Sequence, residues 1–493
     1  MKNAVTVFLI LFVLSMNNSF SQTMQKGIFN ESKEIGNDLA GISSDYLSAS
    51  QTYHLEGQQK NKSEHQGFTL TTQMKGSFLF TAKIKKESNG TGGLIITTPS
   101  GEIIFKAIRN TKGNTFFQSK GKNQLSKGPK SNYEVLQLER IGSRVNLYAC
   151  GPNEPLQLIG ESLDTTLPEI VSVGLWLETS PTFSKVIFSE VRLDNLVAYD
   201  YDGDKSGHLG SRLEIIDINT NEKRVVYESM ERFEAPNFLP NGKELLFNMN
   251  GSLYTVPVAG GEPKKFDTGF AIRNNNDHGI SFDGKLLAIS HHREGLPGGG
   301  STVYVMPLSG GEPKLVTEET PSYWHGWNPN NQEVVYVGQR KGSSRYQLYK
   351  KNISGGQETP LTYFEKGHVD GPEYSPDGKF IYYNGSQTGT MQLWRMNPEG
   401  QHPEQLTFDE LNNWFPHLSP DGKWMAYLAF PPDIHPDDHP AYKKVQLKLM
   451  PAAGGAPRVL THLYGGQGTI NVPSWSQDSR YIAFVSNAQL KKK

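Results

Sequence analysis

One element recurs six times in the second half of the chain, and it constrains the fold more than any other feature. Each copy is an aromatic or aliphatic residue, a tight turn and an apolar strand. The turns begin at Leu239, Ser281, Asn328, Ser375, Ser419 and Ser476, directly after Phe238, Ile280, Trp327, Tyr374, Leu418 and Trp475. Spacings of about 40–57 residues suit one four-stranded sheet per repeat. The Ser-Pro-Asp-Gly turns at 375–378 and 419–422 have a mechanism: Pro presets φ, Asp bonds the local backbone and Gly accepts positive φ.

A second element, two strands joined by a turn that is mostly Gly-Gly, follows each of the first five turns, at 252–266, 302–317, 347–362, 392–407 and 446–461. A sixth copy at 212–227 precedes the first turn, and the turn at Ser476 has none after it. The two ends are therefore complementary fragments of one sheet. Pairing them removes an open edge that would invite aggregation. The expectation is an all-β chain whose residues 211–490 form a six-bladed β-propeller closed by a shared blade.

These repeats resemble those of the TolB-like β-propeller family over about 280 residues. The TolB protein itself carries a small α/β domain ahead of its propeller, and this chain does not. Residues 30–195 instead show period-2 strands such as 67–74, 77–85, 133–149 and 171–178, the pattern of an antiparallel β-sandwich. The strand Gly174–Thr179 followed by a final strand Val186–Leu193 resembles the concanavalin-like (jelly-roll) sandwich domains that accompany carbohydrate-active enzymes. Residues 196–210, polar and Gly-rich, read as a linker.

Residues 1–21 read as a signal peptide: Lys2 is basic, Val5–Leu14 is apolar, and Ser19 and Ser21 stand where a signal peptidase reads. The expected mature chain is exported, periplasmic or secreted to the cell surface, with no further apolar run of the ~20 residues a membrane helix needs. The charge balance, 49 basic against 50 acidic side chains, gives no field to attract nucleic acid. The single cysteine, Cys150, excludes an internal disulfide.

Chemistry is expected where the innermost strands converge on a central channel. Three residues before each turn stand Pro236, His278, His325, Pro372, Pro416 and Pro473, so two consecutive repeats replace proline with histidine. Two neighbouring imidazoles could share a divalent metal (manganese, calcium or zinc), or bind an anion when protonated. The metal set is read as His278, His325 and His417, and the ligand contacts as Asn276, Asp370, Glu373, Gln387, Asn413, Trp414 and Asn471. His368 or His292 is read as the base and Arg293 as the partner of a substrate carboxylate. Residues 431–440, with Asp433, His435 and His439, form a candidate lid.

Two functions follow. The first is binding or cleavage of an acidic oligosaccharide in the funnel. Oligogalacturonide lyases are the similar case, a propeller whose histidine-held metal acidifies the proton beside a uronate carboxylate, although their own motifs are not visible here. The alternative is a non-catalytic scaffold that shows its loops to an envelope or secreted protein. No G-x-S-x-G elbow occurs, and the Gly-Gly turns precede no helix, so serine hydrolase and phosphate-loop readings fall away.

Overall fold

The computed structural model describes residues 26–61, 66–119 and 126–488, and the signal segment 1–21 lies outside them. Residues 31–195 form two seven-stranded antiparallel sheets. One runs Glu31–Ile35, Gly67–Lys75, Ile170–Glu178, Thr91–Thr97, Ile103–Arg109, Asn114–Ser119, Ser126–Ser131 from edge to edge. The other runs Gln157–Leu163, Arg144–Cys150, Val135–Ile141, Phe78–Ile84, Ser184–Asn195, Thr52–Gln59, Leu39–Leu47. Alternate residues of both, among them Phe78, Phe80, Leu94, Phe105, Leu138, Leu147, Leu175 and Phe188, meet in one buried core. That is the physical outcome of the period-2 pattern. Trp176 points out of this core and packs on Ile95 and Ile108, with the Lys106 ammonium 5.2 Å from its ring centre.

The repeat region starts with β1 (Gly210–Asp217) and β2 (Lys223–Ser229). Five four-stranded antiparallel sheets follow. Their first strands are β3 (Phe233–Phe238), β4 (Asn274–Ile280), β5 (Ser322–Trp327), β6 (Val369–Tyr374) and β7 (Asn412–Leu418). The last strand is β8 (Tyr481–Ala488), and it pairs with β1 from Gly210 opposite Ala488 to Asp217 opposite Tyr481. The two ends thus complete one sheet, as their complementary halves require; Trp475 adds a single bridge to Ile482 on its inner side. Each first strand lies against the next, β3 on β4, β4 on β5, β5 on β6 and β6 on β7, and β3 also touches β8.

The turn chemistry is as the residues dictate. Ser281, Ser375, Ser419 and Ser476 each donate a hydroxyl hydrogen bond to the Asp two positions on, at 2.7, 2.7, 2.6 and 2.5 Å. Gly284, Gly378 and Gly422 take φ near +70°, which only glycine adopts freely. Apolar residues of successive sheets interdigitate, for example Val303 and Val305 with Trp324 and Trp327. Trp327 and Trp475 each donate an indole hydrogen bond back to the preceding repeat, to the Gly279 and His417 carbonyls at 3.0 and 2.9 Å.

The sandwich leans on the seam. Arg192 of its strand Ser184–Asn195 pairs with Glu214 of β1 at 2.7 Å, and Arg212 of β1 pairs with Asp194 at 2.7 Å. Glu214 also accepts from Ser486 of β8 at 2.5 Å, so one carboxylate ties the sandwich to both halves of the closing sheet. The stretch expected as a linker is packed too: Leu196, Val197 and Tyr201 sit against Leu209, Tyr442 and Tyr464. No helix among the described residues is long and apolar enough to cross a membrane.

Candidate functional site

A break in register shapes the centre of the ring. In β3, β6 and β7 the residues four and three before the turn drop out of the ladder: Ala235 and Pro236, Gly371 and Pro372, Phe415 and Pro416. The first of each pair takes a left-handed φ of 58–59°. These are β-bulges, and proline suits the unpaired position because it has no N–H to lose. The two histidines that replace it behave differently. His325 is itself the unpaired residue of β5, whereas His278 returns to the ladder opposite Ile289 after an unpaired stretch, Asn275 to Asp277.

That difference sends the two rings apart. His278 is fully buried against the backbone of Asn276 and Leu246, and burial pushes its pKa down to about 4. His325 lines a mouth of about 500 Å³ at the end where the first strands begin. The same mouth is lined by Arg232, Glu234, Asn275, Asn276, Asp277 and His292. Across it stand Tyr323, Tyr346, His368, Asp370, Phe415, Asp437, His439, Gln467 and Asn471. A cavity of about 570 Å³ opens at one end of the sandwich, but Arg144, Glu161 and Asp164 are its charged residues and no histidine joins them.

Electrostatics single out three side chains on neighbouring strands. Asp370 accepts from His325 Nε2 at 2.9 Å and from the Gly371 N–H at 2.8 Å, with His368 Nε2 at 3.6 Å from its other oxygen. Burial opposes the Asp370 charge, but His325 and His368 outweigh it and hold the carboxyl well below the usual range. Burial likewise opposes the His325 cation, and Asp370 and Asp277 together raise its pKa all the same. Asp277, bonded by Asn275 at 2.5 Å, is pushed up to about 7, chiefly by burial and despite His325. Two buried carboxyl groups thus share one imidazole and titrate far apart. Among the described residues, neither His325 Nδ1 nor His439 Nδ1 has a hydrogen-bond partner. His439 stacks on Trp414 with ring centres 4.3 Å apart, and burial lowers its pKa to about 4.

The sequence candidates divide. Asn276, His292, His325, His368, Asp370 and Asn471 line the mouth; His278, Arg293, Glu373, Gln387, Asn413, Trp414 and His417 do not. His417 has Glu373 at 2.7 Å on Nδ1 and the Ile470 carbonyl on Nε2. Wherever the proton of that pair sits, neither ring nitrogen keeps a lone pair for a metal. Glu373 is further occupied by the Leu418 N–H at 2.9 Å. Asn413 is tied to Asp409 at 2.9 Å, and Trp414 is fully buried beneath His439. The set His278, His325 and His417 does not fit a metal, and no three His, Cys, Asp or Glu among the described residues are arranged to hold one. From the candidate lid, residues 431–440, His439 lines the mouth together with Asp437, which accepts from Ser386 of the neighbouring sheet; Asp433 and His435 do not line it.

The residues missed had a signal. Five before each turn stand Glu234, Asn276, Tyr323, Asp370, Trp414 and Asn471, and all but Trp414 line the mouth. In β3, β5 and β6 a bulge lies between that position and the turn.

Comparison with known proteins bears on the ring. The TolB β-propeller domain matches residues 325–432. An uncharacterized protein of Agrobacterium fabrum is 45% identical over 280 residues, which is 57% of this chain and 93% of that protein. The chain belongs to the TolB-like β-propeller family. The solved structure of a candidate TolB from Agrobacterium tumefaciens is 44% identical, with a TM-score of 0.54 over 58% of this chain and all of that one. TolB from Acinetobacter baumannii is 16% identical with a TM-score of 0.38, over 53% of this chain and 65% of that one. The family match lies within the repeat region.

Proposed function

We propose that this is an exported protein, a six-bladed propeller closed by its shared blade, that binds the end of an oligosaccharide chain in the mouth, with a concanavalin-like sandwich fixed to its seam. The observation that carries the reading is the polar triad at the base of an open cavity. Asp277, His325 and Asp370 are each more than nine-tenths buried, yet they face solvent-accessible space. Removing such groups from water costs free energy that packing does not return, and clusters of this kind concentrate where ligands bind. Amides of Asn275, Asn276, Gln467 and Asn471 supply further donors and acceptors, and Tyr323, Tyr346 and Phe415 supply ring faces. Hydroxyl-rich ligands need that combination.

Cleavage by metal-assisted elimination draws no support here. His278 and His417 point elsewhere, and Arg293 does not reach the mouth to neutralise a uronate. Binding is therefore the reading carried forward. In titration calorimetry against a panel of oligosaccharides, at least one member should bind with Kd below about 1 mM. His325→Ala should weaken that member at least tenfold, about 1.4 kcal/mol, with the far-ultraviolet circular dichroism unchanged. A panel of neutral, acidic and amino oligosaccharides that all fail to bind would favour the scaffold alternative.

A further inference from the structure

The mouth is not charge-neutral. Glu234, Asp277, Asp370 and Asp437 line it, against one guanidinium, Arg232, which Glu234 already holds at 3.0 Å. Asp277 and Asp370 sit at its base on β4 and β6, with His325 of β5 between them. Both imidazoles at the base, His325 at 2.9 Å and His368 at 3.6 Å, lie on Asp370, so among the described residues an ionised Asp277 has no cation paired with it. A second observation is independent of this acidity: His325 is 4% exposed, lines the cavity, and its Nδ1 has no partner. A hydroxyl would satisfy that nitrogen in either protonation state of the ring, since it can donate or accept.

The two features define one ligand chemistry. We propose that the mouth selects a saccharide bearing a free amine, with the ammonium between Asp277 and Asp370 and an adjacent hydroxyl on His325 Nδ1. This rests on the saccharide reading above and specifies it. A uronate would bring a fifth carboxylate to four, and an N-acetylated sugar would bring no cation to replace the Asp277 proton. The groups facing Asp277 are His325 from β5, Asp370 from β6, Glu234 from β3, Tyr323 from β5 and the Asn275 amide from its own strand. Of these only His325 is a cation, and Asp370 already holds it.

Because burial keeps Asp277 protonated up to about pH 7, an ammonium that takes the place of that proton should release it. Three trimers serve as probes for calorimetry with the full chain at pH 6, where both the sugar amine and Asp277 carry their protons before binding: β-1,4-linked glucosamine, its fully N-acetylated form, and galacturonic acid. The glucosamine trimer should bind at least tenfold more tightly than the other two. Its apparent enthalpy should change between phosphate and Bis-Tris buffers by an amount that reports proton release. Asp277→Asn should erase the preference over the N-acetylated trimer while still binding both, and wild-type proton release tests the same point should that variant not fold. Equal binding of the amine and N-acetylated trimers, tighter binding of the galacturonate trimer, or no proton release would overturn the amine assignment and leave the saccharide reading standing. Failure of all three trimers to bind would overturn both.

Discussion

Replacing Arg192 with methionine is expected to destabilise the protein by about 3–5 kcal/mol, the range for removing one partner of a buried ion pair. The Arg192 side chain is 15% exposed and that of Glu214 only 3%. Burial opposes the Glu214 charge, but Arg192 and Lys223, with hydrogen bonds from Arg192 and Ser486, outweigh it and pull its pKa down to about 2. Without Arg192 the carboxylate stays buried at the junction of the sandwich, β1 and β8. The double change Arg192→Met with Glu214→Gln should recover much of the loss, because no charge is then stranded. The pair also sets an acid limit. Glu214 has a folded pKa below its unfolded value, so its contribution is complete above about pH 4.5 and is lost as pH falls towards 2. Guanidinium unfolding at pH 7 and pH 3 checks both statements: the Arg192→Met deficit should be large at pH 7 and smaller at pH 3. An unchanged midpoint at pH 7 would show that the sandwich does not hold the seam.

Asp277→Asn is expected to act in the opposite direction. Its carboxyl is held up at about 7 in the folded protein, against roughly 3.9 when unfolded. The folded state therefore binds more protons between those values, and stability falls as pH rises through that window. A shift of about three units corresponds to roughly 4 kcal/mol, an upper figure because ionisation can be relieved by water entering the mouth. The asparagine variant should gain up to that amount at pH 8 and almost nothing at pH 4. A thermal unfolding series from pH 4 to pH 8 reads this as two curves that separate with rising pH; parallel curves would contradict it. Stability gained by removing a binding group is the usual sign of a site kept for function.

The ring was legible in the sequence because its signals are local. A turn such as Ser375-Pro376-Asp377-Gly378 specifies its own hydrogen bonds, and the unmatched copies at 212–227 and Ser476 imply the β1–β8 pairing without any structure. The mouth was half legible. His325, His368 and Asp370 could be placed because aligned repeats put equivalent residues on one face, but equivalence failed for His278. The bulge of β4 begins at Asn275 and ends before His278, whereas that of β5 is confined to His325. A one-residue change in a bulge turns a side chain to the opposite face, and sequence spacing does not encode it. His417 failed for another reason. Glu373, 44 positions earlier in the preceding sheet, takes its Nδ1, and long-range pairs of that kind leave no periodic trace.

The most direct test of the central claim is a crystal structure of the protein with the oligosaccharide that binds most tightly in the panel. The expected result is sugar density in the mouth, with oxygen or nitrogen atoms within hydrogen-bond reach of Asp277, His325 Nδ1 and Asp370. Density confined to the sandwich, with the mouth holding only water, would contradict it.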